Sequence, residues 1–579
     1  MVSRRIGEHE MKTIHDYPHQ VKFELPPVLD SKARCAIDTE WFGMDKKRLH
    51  RPILPDGSPN GTFACATFCF DGETVYFITD PDDVQQAMDN VSKSIWIFAN
   101  AKFDITHLRR HSIIQQRLTK LWDVIAVDQI MWSGYYDSFT LGDIARRRLG
   151  VYMPKEIRNR FEDATELDDE LIEYSAFDPI ANWHVYQDQR DVISKTDLAL
   201  WKDVDLPAMW TLLSMSGILV DNAAWMSIYK INKEILDGVQ ACWPDINLRS
   251  SKQVGEKLVE DGYRKLPKTD TGKPKTDATT LANIKDPNQF VQDKLKFSSV
   301  STLVSTFGEK FLAKAVESDG RVYADFRSLG AGTGRMSCAK PNLQNIPKGA
   351  HRDCFVAAEG NVLIVGDWSS QEPRIFAYLS QDQKLIDIFN AGKDIYIEVG
   401  RMLFGWELTK DDPRRSKRMK PTVLGAAYGL TEHGMEREYG IPKKEGRELL
   451  DAFFDTFTDA SDWINEQRKG HDYVTTIRGR KFWLNHYTYK ALNNAINSPV
   501  QGTASDSMKL AAHCFVEQWK ANPIVNLVHD EIVAEVHESA KDSAIECLRK
   551  CMLDVGNATH PGIKADCDIG WGKTWASKV

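Results

Sequence analysis

Residues 361–380 read NVLIVGDWSSQEPRIFAYLS. An apolar run closed by Gly366 predicts a buried strand, with Asp367 at its carboxyl-terminal end. Far along the chain, residues 524–536 read IVNLVHDEIVAEV. Two apolar runs there flank His529, Asp530 and Glu531, which predicts a hairpin with carboxylates at its tip. If the two strands are neighbours, Asp367 and Asp530 face one another. A carboxylate pair of that kind can hold two Mg²⁺ ions, an arrangement suited to phosphoryl transfer. Each piece also has a plain structural reading, since a strand-end Asp often caps a helix and an HD step is often only a turn. Distance along the sequence does not choose between them.

The composition bounds what surrounds these segments. A chain of 579 residues suggests roughly three to five domains. With 42% hydrophobic and 27% charged residues, it can build a sizeable core, which excludes disordered, collagen-like and low-complexity classes. The formal charge of −8, from 74 basic and 82 acidic residues, argues as a whole against a nucleic-acid binder. By position the picture changes: residues 1–200 sum to −8 and residues 201–579 to zero. The ten cysteines show no CxxC pairing, so reduced buried thiols are expected rather than a zinc site. No apolar run approaches the ~18 residues of a membrane span, and the N-terminus lacks the apolar region of a signal peptide. A soluble cytoplasmic protein is expected, in the host cytoplasm if viral.

Within the acidic first third, Arg34–Phe42 reads RCAIDTEWF, a β-prone stretch whose period of two puts Asp38 and Glu40 on one face. Next comes an apolar strand and then NAKFDITHLRR, where Asn100 and Asp104 share a face if a helix starts there. A third segment, LIEYSAFDPIANWHVY, sets Tyr174 and Asp178 four apart. Pro179 follows directly and predicts a kink in that helix. Alone, Asn100 reads as a helix cap and the Asp38/Glu40 pair as a solvated edge. Together, four carboxylates can hold two divalent ions ~3.5–4 Å apart for phosphodiester hydrolysis, with Tyr174 orienting or helping to deprotonate a water. The order DxE, Nx3D, Yx3D resembles the DEDD-type 3′→5′ proofreading exonuclease domain in its tyrosine-containing variety, over roughly residues 30–190. The resemblance implies Asp38, Glu40, Asp104 and Asp178 as metal ligands and Tyr174 as the residue that positions the nucleophile. The further acidic run at 161–173 reads as a solvated surface and helix entry.

Two basic stretches follow. Residues 249–275 carry a local +4, a tip suited to backbone phosphates, and residues 321–348 carry +4 again. In the second, TGRMS followed by PNLQNIP resembles family A DNA polymerases, the group that includes bacterial DNA polymerase I; the upstream NLRSSKQVGEKL resembles that family's thumb. The resemblance implies Arg335 near the primer strand and Arg352 near the incoming nucleotide or primer end. It also puts Lys252, Asn342, Gln344 and Asn345 among the DNA contacts. The two opening segments resemble the family's motifs A and C. That implies Asp367 and Asp530 as metal ligands, Glu531 as an accessory carboxylate, His529 near the DNA and Glu372 as the steric gate against a ribose 2′-OH.

Between them lies DDPRRSKRMKPTVLGAAYGL, with five bases within residues 414–420. Such a cluster is a solvated basic face or a match for a triphosphate. It resembles motif B, implying Lys420 on the triphosphate and Tyr428 near the templating base. Three departures stand out. The family's arginine four residues before the lysine is Ser416, so Arg415, Lys417 or Arg418 must supply that charge. The usual aromatic residue is Leu424, so its contact with the sugar is absent. Pro421 removes an intrahelical hydrogen bond and predicts a kink near residue 420. Tyr396 stands where many relatives carry histidine, and Asn497 and Gln501 are expected on a helix facing the minor groove.

The resulting expectation is an α+β multidomain chain. A ribonuclease H-like exonuclease domain occupies residues 1–195, with no room for a 5′-nuclease ahead of it, and a right-hand polymerase occupies residues 196–579. Its thumb is about 222–312, its palm about 313–388 and 500–579, and its fingers about 389–499. The expected activity is template-directed DNA synthesis from dNTPs with 3′→5′ proofreading. Two Mg²⁺ are expected in each site, with Mn²⁺ able to substitute. Primer-template DNA is the expected partner, with helicase, primase or single-stranded-DNA-binding protein as accessories and no membrane; the chain is expected to be a monomer. The compact layout resembles a bacteriophage replicative enzyme. The rivals are a 3′→5′ exonuclease whose polymerase half only binds DNA, and a replication scaffold without activity.

Overall fold

Strand-forming runs in the first third assemble one mixed sheet. The computed structural model describes residues 12–13, 19–45, 48–54, 56–110, 120–153, 156–264, 266–269, 271–309, 311, 316, 319–485 and 491–577. The sheet contains β1 (Gln20–Lys22), β2 (Arg34–Phe42), β3 (Thr62–Cys69), β4 (Thr74–Ile78), β5 (Ile95–Phe98) and β6 (Leu121–Asp123), in the order β1-β4-β3-β2-β5-β6. β2 is antiparallel to β3 and parallel to β5, so it sits at the centre and is buried along most of its length. Helix α1 (Ala101–Arg110) follows β5, and the long helix α2 (Asp169–Val192) lies across the sheet.

One local outcome differs from the sequence expectation. Asn100 is not on the face of Asp104: the helix starts at Ala101, and Asn100 precedes it at φ +69°. The cap comes from elsewhere, as the Asp123 carboxylate accepts from the backbone N–H of Asn100 and Ala101 at 3.3 and 2.8 Å. Pro179 does not interrupt α2. Leu171, Phe177, Ile180 and Val185 are buried along it, and packing of that face outweighs one lost backbone bond.

Apolar residues as far along as Trp201, Met209 and Trp210 still pack on this first core. A second core surrounds a four-stranded antiparallel sheet of β7 (Asn361–Trp368), β8 (Ile524–Val528), β9 (Glu531–His537) and β10 (Cys567–Gly572), in the order β8-β9-β7-β10. Helices α8 (Ala491–Trp519) and α9 (Lys541–Thr559) pack together beneath it. Gly366 lets α9 approach β7, because a Cβ there would meet Leu548 and Met552 at 2.9 Å. A third core joins α5 (Gln371–Ser380), α6 (Ile395–Phe404) and α7 (Lys420–Ala427). A fourth lies between α3 (Asn222–Ala241) and α4 (Gln289–Thr306), with Leu236, Leu258, Phe290 and Phe297 inside. Among the described residues, no helix is long and apolar enough to cross a membrane.

The kink expected at Pro421 takes another form. Residues 413–427 run as one helix whose turn Arg415–Met419 is a π turn, and Pro421 lies just inside the α-helical part that follows.

Candidate active sites

The apolar run of residues 362–365 forms β7, and the hairpin of β8 and β9 pairs beside it with Asp367 opposite Glu531. Asp367 therefore ends one strand while Asp530 sits in the adjoining turn, where His529 takes φ +53°. The backbone N–H of Trp368 donates to the Asp530 carbonyl at 3.3 Å, tying strand end to turn. Burial, then repulsion from Asp367, pushes the Asp530 carboxyl up to about 7. Both acids open into a cavity of about 730 Å³, whose wall also includes Arg335, Gln344, Glu372, Tyr396, Arg415, Lys420, Leu424, Tyr428 and His529.

Glu372, on the first turn of α5, accepts from Arg335 on one oxygen and from the Tyr428 hydroxyl on the other. The loop carrying Arg335 is anchored from α8, where the Ser505 hydroxyl and Lys509 Nζ donate to the Gly334 carbonyl at 2.9 and 2.8 Å. Gln344 Nε2 donates to the Leu527 carbonyl at 3.2 Å, which fixes the PNLQNIP turn on the four-stranded sheet. Tyr396 is buried, which pushes its hydroxyl up to about 12, and it bonds the side chain of Ser370. Arg415 Nε donates to Asp394 at 3.1 Å.

Other expected residues lie outside that wall. Glu531 is buried and accepts from Arg352 at 3.1 Å and from Trp575 Nε1 at 2.7 Å. Arg352 is buried with it and stacks over Trp575, its carbon 4.2 Å from the ring centre. Asn342 caps a short turn, accepting from the Gln344 backbone N–H at 3.0 Å, and Asn345 is exposed beside it. Asn497 and Gln501 are partly buried on α8, and the Asn497 side-chain oxygen is buried without a hydrogen-bond partner. Lys252 is exposed on the helix Ser251–Glu260. Glu535, on the same strand as Glu531, lies away from the hairpin tip. It accepts from Arg321 at 2.7 Å, the Ala358 backbone at 2.8 Å and Asn361 at 2.9 Å, four strand residues away from Glu531.

Sequence reasoning missed Asp568. It pairs opposite Asp367 on the other neighbouring strand, shares the cavity wall and accepts from Ser369 Oγ at 3.1 Å. Its signal was the carboxylate of CDIGWG, a segment no motif drew attention to.

In the N-terminal sheet, carboxylate oxygens of Asp38, Glu40 and Asp178 all lie within 4.8 Å of one another. Asp104 stands beside them, its carboxylate held by the Thr39 backbone N–H at 3.2 Å and hydroxyl at 2.7 Å. Burial dominates throughout: with repulsion from the neighbouring acids added, Glu40 is pushed up to about 8 and Asp38 well above its ordinary value, while burial raises Asp104 to about 7 and Asp178 to about 6. Tyr174 is buried one helical turn before Asp178, and its hydroxyl is raised by burial and by that carboxylate. Arg158, unnoticed in the sequence and carried by the short 3-10 helix Ile157–Glu162, brings a positive charge that pulls Glu40 and Asp178 down.

The chain belongs to DNA polymerase family A, whose sequence model matches residues 223–577. DNA polymerase I of Mycobacterium tuberculosis (strain H37Rv) is 28% identical over 577 residues, covering 92% of this chain and 62% of that protein. DNA polymerase I of Aquifex aeolicus is 27% identical over 548 residues, covering 87% of this chain and 92% of its own length. The chain thus spans less than two thirds of the mycobacterial relative. Its fold is like that of the POL domain of Pol1 from M. smegmatis, solved in complex with DNA primer-template and dNTP. There the TM-score is 0.80 at 24% identity, over 96% of this chain and all of the other.

Proposed function

We propose that the chain extends a primer 3′-end on a DNA template from dNTPs, and that its N-terminal domain removes mismatched ends in the 3′→5′ direction. The observation that carries the first activity is the pair Asp367 and Asp530, brought from a strand and the neighbouring turn to one cavity whose wall also holds Arg415 and Lys420. In this reading Lys420 and Arg415 hold the triphosphate, Tyr428 and Leu424 face the base and sugar, and Glu372 crowds a 2′-hydroxyl. Arg335, Gln344 and His529 approach the primer-template, joined by Asn342, Asn345, Asn497, Gln501 and, from the thumb, Lys252. Arg352 acts at one remove, by neutralising Glu531 beneath the hairpin tip.

Both acidic sets fit hard divalent cations, since the repulsion among clustered carboxylates is what such an ion relieves. Mg²⁺ or Mn²⁺ bound by Asp367 and Asp530, or by Asp38, Glu40 and Asp178 with Asp104, would act as a Lewis acid at the phosphorus-bound oxygens. In the nuclease site, Tyr174 orients the attacking water. A place in bacteriophage DNA replication is supported only by the likeness in layout.

Primer extension in the presence of Mg²⁺ tests the reading. Asp530→Ala is expected to lose synthesis by ~10³-fold or more, as the loss of several kcal/mol of charge stabilisation implies, while degradation of single-stranded DNA persists. Asp38→Ala is expected to do the reverse. Synthesis retained by Asp530→Ala would overturn the site.

A further inference from the structure

We propose that Cys514 and Cys551 are a modification site: a facing thiol pair that a peroxide oxidises to a disulfide, stapling α8 to α9. The site is separate from both acidic sets and does not depend on the polymerase reading above.

The spacing of Cys547 and Cys551, four residues apart, puts them on one face of α9. α8 packs against that helix and brings Cys514 to the same place. The Cys514 and Cys551 sulfurs lie 3.1 Å apart, so a disulfide requires them to close by only about 1 Å. Cys551 is fully buried while Cys514 is half-buried, so a small oxidant reaches the pair from the Cys514 side. Gln518, one turn after Cys514, donates from Nε2 to the Cys514 sulfur at 3.3 Å, and its Oε1 lies 3.9 Å from the Cys547 sulfur. Cys35 and Cys69, on the paired strands β2 and β3, are by contrast both fully buried.

The surroundings divide the work between the two thiols. Contact with the Cys551 sulfur pulls the Cys514 thiol down to about 7 against the opposing effect of burial, and the Gln518 amide adds to it. The same contact, with burial, holds Cys551 well above its ordinary value, so Cys551 keeps its proton. Cys514 is therefore the thiolate that reacts first. Its sulfur attacks one peroxide oxygen, the O–O bond breaks, and the hydroxide released takes a proton from solvent; Cys514 becomes a sulfenic acid. The Cys551 sulfur then attacks the Cys514 sulfur. An S–S bond forms, the S–O bond breaks, and the departing hydroxide leaves as water with the Cys551 proton. The two thiols are oxidised by two electrons, and the peroxide is reduced to two waters.

The bond closes a loop from residue 514 to residue 551 that contains β8, the Asp530 turn and β9. Such a link restricts the unfolded chain. The folded helices already touch at this point, so the hairpin keeps its place.

The test treats the full chain, reduced and then freed of reductant, with hydrogen peroxide and reads cysteine pairing by mass spectrometry of the unreduced digest. Peptides joined at Cys514 and Cys551 and separated by dithiothreitol are expected. The thermal midpoint is expected to rise by about 5 °C on oxidation and to return on reduction. Cys514→Ser is expected to abolish the link and the rise, whereas Cys547→Ser keeps both. In Cys551→Ala the sulfenic acid of Cys514 has no facing thiol and is expected to accumulate, where dimedone captures it. Thiols that persist at Cys514 and Cys551 in the oxidised parent, a link made to Cys547 instead, or a rise retained in Cys514→Ser would each overturn the proposal. The pairing in the parent chain decides the matter even where a variant fails to fold.

Discussion

Asp530 and Glu531 are adjacent in sequence and opposite in circumstance. Asp530 opens to the cavity and is held near Asp367 against repulsion. Glu531 points into the core, where Arg352 and Trp575 satisfy it. Asp530 stays in the turn, while Glu531 opens the strand and is drawn to Arg352 and Trp575. Their substitutions should therefore fail differently. Glu531→Ala leaves Arg352 as a buried charge without its partner, which costs about 3–5 kcal/mol. A clear fall in the thermal midpoint is expected, with remaining synthesis limited by the folded fraction. A Glu531→Ala chain as stable as the parent, melted side by side, would mean that the carboxylate is not a structural anchor.

At the scale of elements, the sequence disclosed what local chemistry dictates. The apolar run at 362–365 and the mainly apolar 524–528 read as buried strands, and the HDE step between two such runs reads as a turn. The period of two put Asp38 and Glu40 together, as observed. What escaped was set by neighbours remote in sequence. Asn100 looked like a cap for its own helix, yet Asp123 performs that task from the next strand. It also caps the helix Val124–Trp132, accepting from the Ile125 and Ala126 N–H groups at 2.9 and 3.1 Å. Pro179 reads as a kink, and α2 runs unbroken through it along a buried face. Pro421 looked like a kink, and the chain answers with a π turn that no local pattern announces. The double cap carries a consequence for α1, which bears Asp104. Asp123→Ala removes both caps at ~0.5–2 kcal/mol each, so a loss of ~1–4 kcal/mol is expected, together with slower exonuclease and unchanged primer extension. Equal loss of both activities would show that the effect is global unfolding rather than a displaced α1.

At the scale of the molecule, the two regions that carry the acidic sets share one seam. Trp132 and Trp483 stack with ring centres 5.1 Å apart, and Trp483 Nε1 donates to the Met131 carbonyl at 2.8 Å. Behind them, Asp205 joins Arg480 and Lys509 at 2.8 and 2.7 Å in a buried network. The seam was not legible in the sequence, because its partners are separated by hundreds of residues. The charge asymmetry was legible: the acidic excess lies in the first 200 residues, and part of it is concentrated at Asp38, Glu40, Asp104 and Asp178. That concentration makes stability depend on pH and on metal. Folding raises these carboxyls, to about 8 for Glu40 and about 7 for Asp104, above the ordinary unfolded values near 4. Between about pH 4 and pH 8 the folded chain therefore binds protons that the unfolded chain has released. Its stability falls as pH rises through that window. In chelator, the thermal midpoint of the N-terminal transition should drop from pH 5 to pH 8. Mg²⁺ or Mn²⁺ should restore it at pH 8 and do little at pH 5, where protons already relieve the repulsion. Asp178→Asn should flatten the chelator curve by removing one of the repelling charges. A midpoint that rises with pH in chelator, or that ignores the cations at pH 8, would show that these carboxylates are paired within the chain and need no metal.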